Sequence, residues 1–168
     1  MGDAAAVASD GARLHVAVED CGKPRYVSVL RHAGQLHALD SVCYHAGGPL
    51  TAGDIEEVGG QACISCPWHA YKVTLASGEK LYQATELVAG KLVPAGWKSV
   101  GVRQRVHEAR LEGDSLLVRL NLSAPHLESD TYAHNAACGE RITAPPTAPR
   151  SGAVPRAGHL RGGDGNRV

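Results

Sequence analysis

The sequence predicts an all-β protein of antiparallel strands folded as one domain, and three observations carry that prediction. Short stretches of alternating apolar and polar residues recur from Leu14 onward, the pattern of strands with one buried face. Turn-forming clusters divide them, of which Gly59-Gly60 and Glu112-Gly113-Asp114 are the plainest hairpin signals. The length, 168 residues, fills one domain well and is too short for two sizeable ones.

Residues 1–11 are Ala-rich with two aspartates and no arginine, and read as a disordered leader. The domain is expected over 12–138. Leu14 to Val18 alternates, Cys21 to Pro24 turns, and Arg25 to Leu30 alternates again. His32-Ala33-Gly34 connects tightly to a strand from Gln35 to Leu39. Asp54 to Val58 and Ala62 to Ser65 pair across Gly59-Gly60. Tyr71 to Leu75 is a strand, Ala76-Ser77-Gly78 a turn, and Lys80 to Gln83 the return. Ala84 to Lys98 carries Gly90, Pro94 and Gly96, and reads as a long surface loop. Val100 to Leu111 and Ser115 to Leu122 form a hairpin that closes the domain. From Gly139 to residue 168, Pro, Arg, Gly and Ala dominate without an apolar period, which predicts a disordered tail. Phe is absent, so Val, Leu, Ile and Ala must supply most of the core.

Composition excludes several classes of partner. Lys plus Arg equals Asp plus Glu at 17 each, so no net field draws the chain to nucleic acid or anionic lipid. No apolar run reaches the length needed to cross a bilayer. The start has neither the basic character of a mitochondrial presequence nor a secretory apolar core. Of five cysteines, Cys21, Cys63 and Cys138 read as free thiols of a reducing compartment, and a cytoplasmic location is expected.

The chemistry concentrates between Cys43 and Tyr71. Cys43-Tyr44-His45 and Cys66-Pro67-Trp68-His69 each offer one thiol and one imidazole. In an extended loop, positions i and i+2 face the same way, so Cys43 and His45 can meet one small object. Cys66 and His69 need a turn, which Pro67 helps to set. Gly47 and Gly48 allow close backbone approach, with their N–H groups expected to point at the ligand. A Cys-x-His paired with a Cys-x-x-His is the ligand set of a [2Fe–2S] centre in which two histidines replace two cysteines on one iron. On this reading Cys43 and Cys66 hold one iron, while His45 and His69 hold the other. A zinc site is the plainer alternative, since two Cys and two His also make a tetrahedral set. Zinc fingers, however, usually pair like ligands locally, whereas each loop here carries one of each.

These residues resemble the Rieske family, and more closely its small soluble vertebrate ferredoxin-type branch. The likeness is carried by Cys43-Tyr44-His45, Gly47-Gly48-Pro49-Leu50, Gly53-Asp54-Ile55-Glu56, Cys66-Pro67-Trp68-His69 and Tyr71-Lys72. It continues through Leu75-Ala76-Ser77-Gly78-Glu79 and Leu81-Tyr82-Gln83, and more faintly through Glu128-Ser129-Asp130 and Tyr132-Ala133. The resemblance implies a Rieske-type antiparallel β domain with a small cluster-binding subdomain, about 41–75, inserted in it. It implies one [2Fe–2S] cluster per subunit near solvent. The chain departs from the respiratory pattern, where an extra cysteine in each loop forms a disulfide beside the cluster. Gly48 and Trp68 stand at the corresponding places, so that bridge is missing. A hydroxyl that donates to the cluster in that pattern is also missing, because Ala70-Tyr71 follows His69. Fewer donors to the sulfurs predict a potential low in the Rieske range. Trp68 is read either as a shield for the cluster or as a core aromatic.

His32 and His37 repeat the His-x4-His spacing of the mononuclear iron site of Rieske oxygenases. They precede the cluster and span a turn, so they are read as surface histidines. Roughly 100 residues follow His69, with no visible substrate-binding apparatus and no independent catalytic activity expected. The predicted function is a monomeric, diffusible one-electron carrier between a reductase and an oxygenase or similar acceptor. The alternative is a redox- or iron-sensing interaction module, or an accessory subunit, in which the metal is structural.

Overall fold

The computed structural model of the chain describes residues 2–123 and 125–144. Eleven strands are assigned: β1 Gly2–Asp3, β2 Arg13–Asp20, β3 Lys23–His32, β4 Gln35–Asp40, β5 Ile55–Val58, β6 Gln61–Ser65, β7 Lys72–Thr74, β8 Glu79–Val88, β9 Lys91–Val102, β10 Val106–Glu112 and β11 Ser115–Arg119. Short 3-10 turns lie at Ala4–Val7, Leu50–Ala52 and Glu128–Thr131, and one helix, α1, spans Ala136–Thr143. The strands form two antiparallel sheets, ordered β1-β11-β10-β4-β3-β2 and β5-β6-β7-β8-β9. The second sheet is inserted between β4 and β10, which pair with each other in the first. The all-β class is therefore correct.

One turn design recurs. Cys21-Gly22, Ala33-Gly34, Gly59-Gly60 and Ala89-Gly90 each place two residues at positive φ between paired strands. Two consecutive positive φ values match the right-handed twist of a hairpin, and glycine takes the second position without steric cost.

That design explains the main departure from the sequence reading. Ala84 to Lys98 is not a loop: it is the outer half of the β8–β9 hairpin, with Ala89-Gly90 at its tip. Pro94 is tolerated because β9 is an edge strand, where a missing N–H breaks no ladder. A register shift between Gln83 and Thr85 absorbs the irregularity opposite Gly96. The strand expected over Val100 to Leu111 is likewise divided. β9 ends at Val102 in one sheet, and β10 begins at Val106 in the other.

Strand β3 does not alternate as expected. It is covered on both faces, so Arg25 to Leu30 is buried throughout. Leu30 and Leu39 join Leu50, Ile64, Val73 and Leu75 in a core shared by both sheets. Val29 and Ala38 pack on the opposite side with Val7 and Leu116. Two polar residues of β3 are buried with them. Ser28 Oγ lies 2.6 Å from Ser41 Oγ and 2.7 Å from Thr51 Oγ1, which satisfies it. Arg25 grips Asp40 through Nε and Nη2, both at 2.7 Å, and reaches Asp130 at 2.6 Å.

Both ends of the domain need correction. The expected leader is placed: β1 pairs with β11, and fully buried Val7 anchors the 3-10 turn in the core. At the other end, α1 crosses the expected start of the tail. Asn135 caps it by accepting the Cys138 N–H, and Cys138 and Ile142 pack with Tyr26 and Val42. Gly139 lies so close to the Tyr26 ring that a Cβ would sit 2.1 Å from it. The rest of the expected tail, 145–168, lies outside the described residues.

Candidate metal centre

The two ligand loops are built on one plan. In the first, the Cys43 N–H donates to the Gly48 carbonyl at 2.8 Å, and the Gly47 N–H returns to the Cys43 carbonyl at 3.0 Å. In the second, the Cys66 N–H donates to the Tyr71 carbonyl at 2.9 Å, and the Ala70 N–H to the Cys66 carbonyl at 2.8 Å. Each cysteine thus has its backbone polar groups satisfied within its own loop, which leaves the side chain free to face the other loop. Loop one follows β4 through Ser41 and Val42, and loop two joins β6 to β7.

Cys43 and Cys66 are 1% and 2% exposed, and both belong to the core shared by the two sheets. The two thiols lie near enough to shift each other's ionisation. The Cys66 thiol pushes the Cys43 pKa up, with burial acting the same way, while Cys43 pulls the Cys66 pKa down. Backbone N–H groups help to hold negative charge on the sulfurs: His45 supplies one to Cys43, while Trp68 and His69 supply two to Cys66. The sequence reading placed such donors at Gly47 and Gly48. The Gly47 N–H is instead committed to its own loop.

The imidazoles lie on the outside. His45 and His69 are both exposed, with ring centroids 4.8 Å apart and an 86° angle between planes. Tyr71 meets the His45 ring edge-on at 4.2 Å, and Tyr44 stacks on Tyr71 at 6.2 Å. Lys80 Nζ lies 4.3 Å from the Tyr71 ring centroid. The Tyr44 hydroxyl is buried with no hydrogen-bond partner among the described residues. All four expected ligands are thus brought to one tip of the molecule, as a buried thiol pair and an exposed imidazole pair. Among the described residues, no three His, Cys, Asp or Glu side chains gather round a single point.

Trp68 is not a core aromatic, being 54% exposed. Its ring lies over Gly48, where an added Cβ would come within 2.9 Å of it. The two positions that correspond to the missing disulfide are therefore neighbours in space. His32 and His37 stand apart from the ligand loops. They are half-buried and line a hollow of about 320 Å³ with Glu57 and Thr74. Burial lowers the His37 pKa, with the neighbouring His32 acting in the same direction.

Several residues that shape the loops carry no motif. Gln104, fully buried, hydrogen-bonds the backbone on both sides of Cys43. Tyr132 and Asn135 close over Gly47, where an added Cβ would lie 3.0 and 3.1 Å from them. Only the Asn135 cap ahead of Ala136-Ala137 was a readable signal.

A family model described as soluble Rieske-type ferredoxin matches residues 9–123. The chain belongs to the Rieske-type ferredoxin family. A human relative, the Rieske domain-containing protein, is 44% identical over 109 residues, which cover 65% of this chain and 69% of that one. Solved structures with a similar shape include the ferredoxin of carbazole 1,9a-dioxygenase from Nocardioides aromaticivorans IC177, with TM-score 0.47 and 19% identity over 71% of this chain and 94% of that one. Another is a putative NADH-dependent nitrite reductase small subunit from Mycobacterium tuberculosis, with TM-score 0.47 and 18% identity over 68% and 88% of the two chains. The match to the Rieske-type family stops at residue 123, ahead of Asp130, Tyr132 and Asn135. No helix among the described residues is long and apolar enough to cross a membrane.

Proposed function

We propose that the chain holds one [2Fe–2S] cluster and works as a one-electron carrier between a reductase and an oxygenase or similar acceptor. Cys43 and Cys66 would hold one iron, His45 and His69 the other. The observation that carries this reading is the sorting of donors into a buried thiol pair and an exposed imidazole pair. A tetrahedral zinc site needs all four donors directed at one point. Two like pairs fit two metal atoms with different ligands. When bound, such a cluster accepts and returns a single electron.

The chain's own residues have distinct tasks in this reading. Leu50, Ile64, Val73 and Leu75 keep water from the thiol side. The N–H groups of His45, Trp68 and His69 offset the charge of the thiolates. His45 and His69 form the exposed edge against which a partner docks, and Trp68 extends that edge with apolar surface. The reading includes a monomer in the cytoplasm with no independent catalytic activity, and partners that are redox proteins rather than nucleic acid or membrane. Its support is the balanced charge and five unpaired cysteines.

The test is visible absorption and low-temperature EPR of protein expressed with iron, before and after dithionite. A red-brown protein with a Rieske-type signal on reduction, reducible in turn by a reductase protein, is the expected result. A colourless protein carrying zinc overturns the proposal.

A further inference from the structure

Gln104 sits in the three-residue segment that carries the chain from β9 to β10. Its side chain is fully buried and uses both ends of its amide. Nε2 donates to the Asp40 carbonyl at 2.9 Å and to the Val42 carbonyl at 2.8 Å. Oε1 accepts the Tyr44 N–H at 3.0 Å. Val42 and Tyr44 are the residues on either side of Cys43. One side chain therefore stands in for a neighbouring strand, pairing with the backbone on both sides of the ligand.

Gln104 is itself held from behind. Its N–H donates to the Gly78 carbonyl at 3.0 Å, and its own carbonyl lies where a Cβ on Gly78 would be, 1.9 Å away. On the next residue, the Arg105 N–H donates to Ser129 Oγ at 2.9 Å, and Ser129 Oγ donates to Asp40 Oδ2 at 3.0 Å. The amide cannot swing away without breaking buried hydrogen bonds at both ends.

We propose that Gln104 is the positioning residue of Cys43, fixing the direction of this thiol by clamping the Val42 carbonyl and the Tyr44 N–H. This rests on the reading of Cys43 as a metal ligand, but the geometry is a property of the metal-free chain and is tested there first. Removing the amide leaves the Asp40 carbonyl at the end of β4, and the Val42 carbonyl and Tyr44 N–H of the ligand loop, buried without these partners. The loop then rearranges to hydrate them, and Cys43 turns with it.

The experiment compares Gln104→Leu, Gln104→Glu and the control Val7→Ala, which thins the core remote from the ligand loops. In metal-free protein, iodoacetamide labelling of Cys43 is measured against Cys63, and hydrogen exchange is measured at the Tyr44 amide. In iron-loaded protein, loss of colour under a chelator is timed. Gln104→Leu is expected to speed both loop readouts and the loss of colour by about tenfold or more. Gln104→Glu keeps the acceptor for Tyr44 but loses both donors, so it should affect Cys43 labelling more than Tyr44 exchange. Val7→Ala should lower Tm while leaving the loop readouts near wild type. Loop readouts that follow Tm alone across the three variants overturn the proposal. Should neither Gln104 variant fold, the wild-type Tyr44 amide still decides: protection comparable to the β3 core supports the clamp, and exchange at free-loop rates overturns it. If the protein never takes up iron while Gln104→Leu still unlocks Cys43, the electron-carrier reading fails and the positioning role stands.

Discussion

Gly47 and Ala70 occupy the same place in two copies of one turn. Each donates its N–H to the carbonyl of the cysteine four residues earlier, and each has positive φ, +72° and +55°. Only one of them is a glycine. Alanine in this region costs roughly 1 kcal/mol that glycine avoids. Ala70 is exposed, so Ala70→Gly meets no steric obstacle. It should stabilise the metal-free protein by about 0.5 kcal/mol, after allowing for the greater freedom of glycine in the unfolded chain. Gly47→Ala adds a Cβ against Tyr132 and Asn135 as well as backbone strain, and should cost about 2 kcal/mol. Urea denaturation of the two variants measures both. Shifts of the same sign would refute the equivalence of the two turns.

The buried charges predict a response to acid. Burial pushes the Asp130 carboxyl up, but hydrogen bonds from Arg105 and Arg25 outweigh it and hold it well below the usual range. Asp40 is lowered despite burial by His107 and Arg25. Carboxyls depressed in the folded state stabilise it at pH above their unfolded values, near 4, and lose that contribution as pH falls toward their folded values. Stability should therefore be held from about pH 7 to 5 and decline below about pH 4. Asp130→Asn leaves Arg25 and Arg105 without part of their counter-charge, and should cost about 2–3 kcal/mol at pH 7. It should also flatten the acid slope. Thermal melts across pH check both effects, and an unchanged slope would mean that Asp130 is not the group responsible.

Metal retention should divide the cysteines cleanly. Cys43→Ala and Cys66→Ala each remove a buried donor at the tip and should abolish the visible spectrum. Cys63→Ala and Cys138→Ala alter buried side chains outside the ligand set, so they should keep the spectrum with some loss of stability. Iron content and absorption of the four purified variants provide the measurement. Loss of iron in Cys138→Ala alone would place a ligand on α1 instead.

Much of this arrangement was legible in the residues, and what was hidden has physical causes. The ligand loops could be read because donor spacing is local, and β2 to β4 because turn residues bound each strand-length stretch, although β3 is buried on both faces rather than alternating. The β8–β9 hairpin was obscured by Pro94 and Gly96, which mark a loop unless the strand is known to lie at a sheet edge. That edge is a property of strand order, which no local pattern records. The turn that signals this hairpin, Ala89-Gly90, has the same form as Ala33-Gly34, with two positive φ values, but Pro94 and Gly96 just beyond it hide the returning strand. Gln104, Tyr132 and Asn135 act on residues about 60 to 90 positions away, so no spacing rule finds them.

The neighbourhood of Gly48 and Trp68 bears on redox poise. Where respiratory relatives carry a disulfide, this tip has an aromatic ring lying over a glycine. The described residues also offer no hydroxyl hydrogen bond to Cys43 or Cys66. Fewer donors leave added electron density less well stabilised, so the midpoint potential should lie nearer about −150 mV than about +300 mV. A spectroelectrochemical titration measures it, and a strongly positive value would require a donor to the cluster that this geometry lacks.

Arg25 and Asp130 are 105 positions apart in the chain, and Gln104 lies 60 positions beyond Tyr44. All four proposed ligands have been translated by residue 69, yet the clamp on Cys43 and the ionic tie to Asp130 arrive much later. At ~5–20 residues per second, the ribosome leaves an interval on the order of several seconds in which both thiols are present without their final scaffold. A nascent chain can therefore offer cysteines to a metal before it can hold them at a fixed distance. On the proposed reading, iron delivery belongs after translation, when Gln104, Tyr132 and Asn135 have closed over the first ligand loop.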